Sequence, residues 1–194
     1  NTPYSQFVRA ELTLGRTWVW GRNNGHSIAT RLLAGAGYAY GNSSALPFEK
    51  HFYGGGANSL RGWQARTVGP GTSPLDKSFV IPNQTGDMKL EANIEYRFDI
   101  FWKVAGAVFV DAGNVWTIRN YENQPGGKFK FNSFYNEIAM AYGAGLRLDF
   151  SYFLLRLDLG MKAYNPAKNE ERWPIASPRW KRDATFHFAV GYPF

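Results

Sequence analysis

Apolar and polar residues alternate along most of this chain, and the longest unbroken example runs from 89 to 100. Leu90, Ala92, Ile94, Tyr96, Phe98 and Ile100 share one parity; Lys89, Glu91, Asn93, Glu95, Arg97 and Asp99 share the other. A period of two sends successive side chains to opposite faces of a β-strand. The stretch therefore predicts a strand roughly 40 Å long, beyond the usual five or six residues. The same alternation recurs at about 7–20, 26–40, 103–116, 137–150, 153–162 and 184–194. In the first of these, Val8, Ala10, Leu12, Leu14, Trp18 and Trp20 align, with Arg16 as an exception that the pattern does not explain. Later segments set Val104, Val108 and Val110 opposite Phe109 and Asp111, and Ile138, Met140, Tyr142, Leu146, Leu148 and Phe150 opposite Glu137, Arg147 and Asp149. Phe153, Leu155, Leu157, Leu159 and Met161 oppose Arg156, Asp158 and Lys162. No segment of useful length has the helical period.

The links between these segments sort into two kinds. Those at 21–25, 99–102 and 150–152 are tight, whereas those at about 41–87, 117–136 and 165–183 are long. Strict alternation of short and long links is the habit of outer-membrane barrels, with short periplasmic turns and long external loops. On that reading the charged face lines a wet lumen and the apolar face meets lipid. Trp18, Trp20, Trp102 and Trp116, at strand ends, suit the aromatic girdles of the two interfaces. The fold class expected is all-β, a transmembrane antiparallel β-barrel. Placing the short links in the periplasm makes the last strand descend and leaves seven strands. Bacterial barrels have an even number, so a missing N-terminal portion or one unrecognised strand is expected, and the chain reads as a processed or truncated piece.

Composition sharpens this picture at a few points. The chain has 194 residues, about one domain, with 17% aromatics and 21 glycines. Mean hydropathy is negative, and no apolar run approaches the ~18 residues of a membrane-spanning helix. Strands that alternate lipid-facing and lumen-facing residues escape that test. There is no cysteine, hence no disulfide framework or thiolate metal site. The net charge of +7 would fit a nucleic-acid partner, but bases and acids alternate, as in "KLEANIEYRFD", and no nucleic acid is expected. His26, His51 and His187 are isolated, without metal-ligand spacing. No Gly-x-Ser-x-Gly elbow is present. The glycine-rich stretch at 54–56 lacks the Gly-Lys-Ser/Thr ending of a phosphate loop, and "GAGYAYG" at 35–41 lacks dinucleotide spacing. Neither an enzyme nor a cofactor or metal is expected. The small residues of 35–41 instead suggest room for a neighbouring loop.

The motifs point further. "FYGGGANSLRGWQARTVGPG", in the long link before the third strand, resembles the signature loop of the BamA/TamA family of outer-membrane assembly barrels (the bacterial surface antigen family), whose hallmark is an Arg-Gly-aromatic step. "EYRF", "VFVDAGNVW" and a final strand ending in phenylalanine match the same family, and together they cover essentially the whole chain. The resemblance implies that residues 1–194 are the C-terminal part, about seven or eight strands, of a sixteen-stranded barrel. It implies further N-terminal strands and periplasmic POTRA domains outside this chain, and a loop at about 41–87 that folds into the lumen.

Within that loop the resemblance singles out Arg61, Gly62 and Trp63, with Gly54, Gly55 and Gly56 allowing close backbone passage. In the family the arginine pairs with acids on the next two strands. The matching acids here are Glu95 and Asp111, which strand parity also places on the polar face, and Phe109 could pack against the guanidinium. A planar fork that stays charged suits carboxylates better than lysine would. "FHFAVGYPF" places Phe186, Phe188, Val190, Tyr192 and Phe194 on one parity and resembles the C-terminal insertion signal of such barrels.

The implied role is insertion or assembly of other proteins in the outer membrane of a Gram-negative cell. The implied partners are outer-membrane lipid, unfolded outer-membrane protein clients and accessory assembly subunits. A two-partner-secretion-type export pore of related fold would share the arginine motif, and a small passive barrel, an adhesin or channel, would need no docked loop.

Overall fold

The computed structural model describes residues 4–75, 84–150, 152–168 and 171–194. Parts of two long links, 76–83 and 169–170, lie outside the described residues. Seven antiparallel strands form one sheet, each paired with its sequence neighbours. They are β1 (Phe7–Trp20), β2 (His26–Ala39), β3 (Met88–Phe101), β4 (Val104–Trp116), β5 (Ala139–Asp149), β6 (Leu154–Tyr164) and β7 (Ala184–Val190). A single helical turn, α1 (Trp180–Asp183), precedes β7. The sheet is not closed, because β1 and β7 do not pair with each other.

Register carries the alternation from strand to strand. Asn93 stands opposite Asp111, Asp111 opposite Ala141, and Gly145 opposite Asp158, so the charged residues share one face. The apolar residues share the other, where Ile94, Val108, Val110, Phe186 and Phe188 are exposed. Most of the polar face of β3–β6 is buried, since the link between β2 and β3 lies over it. Leu60, Trp63 and Val68 from that link pack with Ala139 and Ala141 of β5. The core therefore sits between a loop and a wall of strands.

At the short-turn end, Gly21, Asn23 and Asn24 adopt positive φ in the β1–β2 turn, a conformation that these residue types tolerate better than most. Aromatic rings gather there: Trp20, His26 and Tyr96 stack within about 6 Å of one another, and Tyr96 bonds His26 Nδ1 at 2.9 Å. Trp18, Trp20 and Trp102 are exposed, as a girdle requires. Trp116 differs. The link after β4 folds back over it, so Phe129 and Phe134 pack edge-on to its ring and its indole N–H donates to Glu137 at 2.7 Å. Arg16 keeps the apolar parity with its guanidinium 5.1 Å from the Trp18 ring.

The last strand is shorter than the alternation predicts. β7 stops at Val190, where Gly191 takes φ +85° and donates its N–H to Leu154. Phe186, Phe188 and Val190 remain in the outward row, but Tyr192 and Phe194 leave it. The Tyr192 ring lies 4.2 Å from the Arg97 guanidinium, and Phe194 faces Arg31 at 5.1 Å. A glycine that turns the chain, followed by cation–π contacts on the polar face, accounts for the departure.

Candidate functional site

The approach of loop to wall depends on missing side chains. A Cβ on Gly35 would strike the Phe52 ring, and one on Gly37 would strike Leu46, both from the loop. On the opposite flank, a Cβ on Gly160 would overlap the Arg61 carbonyl, and one on Gly62 would come within 2.8 Å of Ala141. Inside the loop, Gly55 and Gly56 have φ near +90°, which side chains resist. Gly54 has an ordinary φ and bridges Val68 across the loop's own neck.

So positioned, Arg61 is fully buried. Its Nε and Nη2 donate to the two oxygens of Asp111, each at 2.9 Å, and its backbone N–H donates to Asp111 at 3.0 Å. Nη1 donates to Glu95 and lies 3.7 Å from Asp158. The guanidinium sits 3.5 Å over the Phe109 ring. Burial on its own would favour a neutral side chain; the bonds and charges of Asp111 and Glu95 outweigh it and hold the Arg61 pKa above its ordinary value. A buried ion cluster is tolerable only when most of its lone pairs and protons are used, and here they largely are. Asp111 also accepts from Asn93, and Glu95 accepts from Arg97 and Arg147.

Two functional features were not visible in the chain's pattern. First, the network extends to β6: Arg147 bonds Asp158 at 2.5 Å and Glu95 at 2.9 Å. Arg147 and Arg156 stand directly opposite each other, with Asp158 bridging both. Second, the wall reads the loop's backbone. Arg156 donates to the carbonyl of Ala57, Arg31 to that of Asn58, Asn93 to that of Ser59, and Thr185 to that of Gly62. His187 Nε2 lies 2.9 Å from the Arg61 carbonyl. The signal that could have found these groups is parity: each lies on the polar face of its strand.

This geometry can hold a loop. Among the described residues no group of His, Cys, Asp and Glu could hold a metal ion, and every carboxylate near Arg61 is engaged by a cation.

A family model described as the Omp85 superfamily domain matches residues 4–194. The chain belongs to the Omp85 superfamily. Within it, the chain is 27% identical over 126 residues to the outer membrane protein assembly factor BamA of Neisseria meningitidis serogroup B, a match covering 62% of this chain and 16% of that protein. The structure is similar to that of BamA from Haemophilus ducreyi lacking POTRA domains 1-3, with a TM-score of 0.69 and 17% identity over 96% of this chain and 35% of that one. It is also similar to CdiB from Acinetobacter baumannii, with a TM-score of 0.54 and 18% identity over 97% of this chain and 27% of that one.

The chain thus spans a minor part of the relatives it matches. It is an Omp85 barrel portion of the BamA/TamA kind, integral to the outer membrane, and its exposed apolar face is the face that meets lipid. The inverted distribution of charge and apolar surface follows from that placement.

Proposed function

We propose that this chain is the C-terminal part of an outer-membrane protein assembly factor, and that Arg61 clamps its loop inside the lumen of the closed barrel. The observation that carries the reading is the sequence match to a BamA named as an assembly factor. The structural likenesses, at 17% and 18% identity, support the barrel fold alone.

In this reading the longer protein adds N-terminal strands, to sixteen in all, and periplasmic POTRA domains, and its clients are unfolded outer-membrane proteins. Accessory assembly subunits join from the periplasmic side. The mechanism needs neither nucleotide nor catalytic group. β7 has only seven residues, and in the described residues its outer edge carries no partner strand. Unpaired N–H and C=O groups on such an edge are a template for an incoming strand, and in lipid an unpaired edge is costly enough to favour pairing. The outward Phe186, Phe188 and Val190 serve in the same reading, with Tyr192 and Phe194, as the signal by which the barrel itself is inserted. Arg61, Gly62 and Trp63 are structural, as are Glu95, Asp111 and Phe109.

The test is replacement in living cells. The full-length protein should sustain the levels of other outer-membrane barrels when the resident assembly factor is depleted, and Arg61→Ala should not. Normal export of a single partner with no support of other barrels would favour the secretion-pore reading instead.

A further inference from the structure

The lipid-facing side of the sheet is not evenly built. Over β1–β4 it holds a furrow of about 380 Å³. Its walls are leucines, Leu12 and Leu14 from β1 with Leu32 and Leu90 from the next two strands, and Ile138 also borders it. Its floor is Ala34, Ala92 and Ala112. We propose that this furrow seats the acyl chain of a bilayer lipid and holds it in preference to the chains around it.

Register makes the trough. Leu14 stands opposite Leu32, Leu32 opposite Ala92, and Ala92 opposite Ala112, so one row across four strands steps down from leucines to alanines. In the adjoining row Ala34 lies between Leu12 and Leu90. Two residues nearer the short turns, the branched side chains of Ile94 and Val110 stand opposite each other and are exposed on the same face. Glu91 borders the furrow too, but its carboxylate is paired with Arg31 and Lys89 on the polar face.

Depth selects the acyl chain over the headgroup. Leu14 is six residues along β1 from Trp20, and Ala92 is four along β3 from Tyr96; these two rings stack at the short-turn end. At ~3.3 Å per residue and a tilt of about 40°, the furrow lies roughly 10–15 Å above that stack, half-way up an apolar band about 25 Å tall. A furrow continuous with the lipid-facing surface is filled from the lipid at that depth. Lipid tails are as apolar as leucine, so no hydrophobic gain attends entry. The preference comes from dispersion: a chain in the trough meets side-chain atoms on the floor and both flanks, whereas a flat face offers contacts on one side. If each methylene takes up ~30 Å³, as a water molecule does, the volume suits a run of about a dozen carbons.

The experiment is photolabelling of the full-length protein in phospholipid bilayers, with a phospholipid carrying a diazirine at mid-chain, followed by mass-spectrometric mapping of the adducts. Leu12, Leu14, Leu32 and Leu90 should take up ~10-fold more label per residue than Ile94, Val108 and Val110 on the same face. Ala92→Phe fills the floor and should level the two groups, while Val108→Phe, outside the furrow, should leave the excess intact. Heat-modifiable mobility checks that each variant is folded, and Ala112→Leu replaces Ala92→Phe if the larger ring prevents folding. Even labelling of the unaltered protein, or an excess that survives the floor variants, would overturn the proposal. So would furrow residues labelled less than Ile94, the result if a second copy of the chain sat there. The labelling reads no assembly and stands apart from the role proposed above.

Discussion

Ile94 and Glu95 are neighbours in β3 and opposites in surroundings: the isoleucine is 54% exposed and the glutamate is fully buried. The whole sheet repeats that inversion. Its charged face is packed, with Arg61, Arg156 and Asp158 inaccessible, while its apolar face is bare. In a water-soluble sandwich the assignment would be reversed, because apolar burial drives folding there. Here the outer face has lipid as its solvent, so exposure of Ile94 or Val108 costs nothing. The inner face must then hold together by other means, and it does so with paired charges and hydrogen bonds to a loop's backbone. The difference teaches that stability on the two faces answers to different substitutions.

The largest effect is expected from breaking the charged face. Arg61→Ala leaves Asp111 and Glu95 buried with fewer cations, a loss of about 3–5 kcal/mol for one partner of such a cluster. It should appear as lost heat-modifiable mobility on gels. Arg61→Lys keeps the charge without the fork and should fall between. On the apolar face the sensitivity inverts: Val108→Lys should cost about 2–4 kcal/mol if it lies near the bilayer midplane, whereas Val108→Leu should leave the denaturation midpoint in lipid unchanged. Gly160→Ala comes next, because its Cβ would displace the Arg61 carbonyl; overpacking of this kind costs about 1–3 kcal/mol. Gly15→Ala on the uncovered β1, whose nearest neighbour would be 3.7 Å away, should be silent in the same thermal assay.

The smallest effect is a pH dependence outside the strands. Burial alone would raise the Asp183 pKa, but the Arg182 bonds and the Arg179 N–H outweigh it and hold it below the ordinary carboxylate range. A carboxylate depressed in the folded state contributes stability above its unfolded pKa of about 4, and that contribution is lost as pH falls through the lower folded value. Asp183→Asn should therefore flatten the acid limb of the stability profile slightly and leave the neutral region nearly unaltered.

How much of this was legible in the sequence follows from which forces leave a one-dimensional trace. Parity is local, so the strands, their faces and the positions of Glu95, Asp111 and Phe109 on the polar side could be read from residues 89–116 alone. The Arg61 partnership needed the family resemblance as well, since a glycine-rich loop carries no period. Long-range choices were not legible. Arg147 has an acid two residues away in Asp149, yet it reaches across strands to Asp158 and Glu95, because register, not proximity in sequence, decides who meets whom. Trp116 has the parity of a girdle residue, but a following link covers it. Phe194 has the parity of a lipid-facing residue, but Gly191 turns the chain before it. Small residues gave a partial signal: Gly35 and Gly37 were readable as space for the loop, while Gly160 was not, because its partner is a carbonyl 99 residues upstream in sequence.

The central claim is that Arg61 holds the loop on the charged wall, and protection of a loop residue tests it most directly. Residues 1–194 hold no cysteine, so in the full-length protein with any cysteine outside them replaced, Ser59→Cys introduces a thiol at a buried position that a membrane-impermeant maleimide can probe on intact cells. With Arg61 present, the thiol should label slowly; with Arg61→Ala, it should label as fast as a cysteine placed at the exposed Lys50. Equal protection in both backgrounds would contradict the clamp.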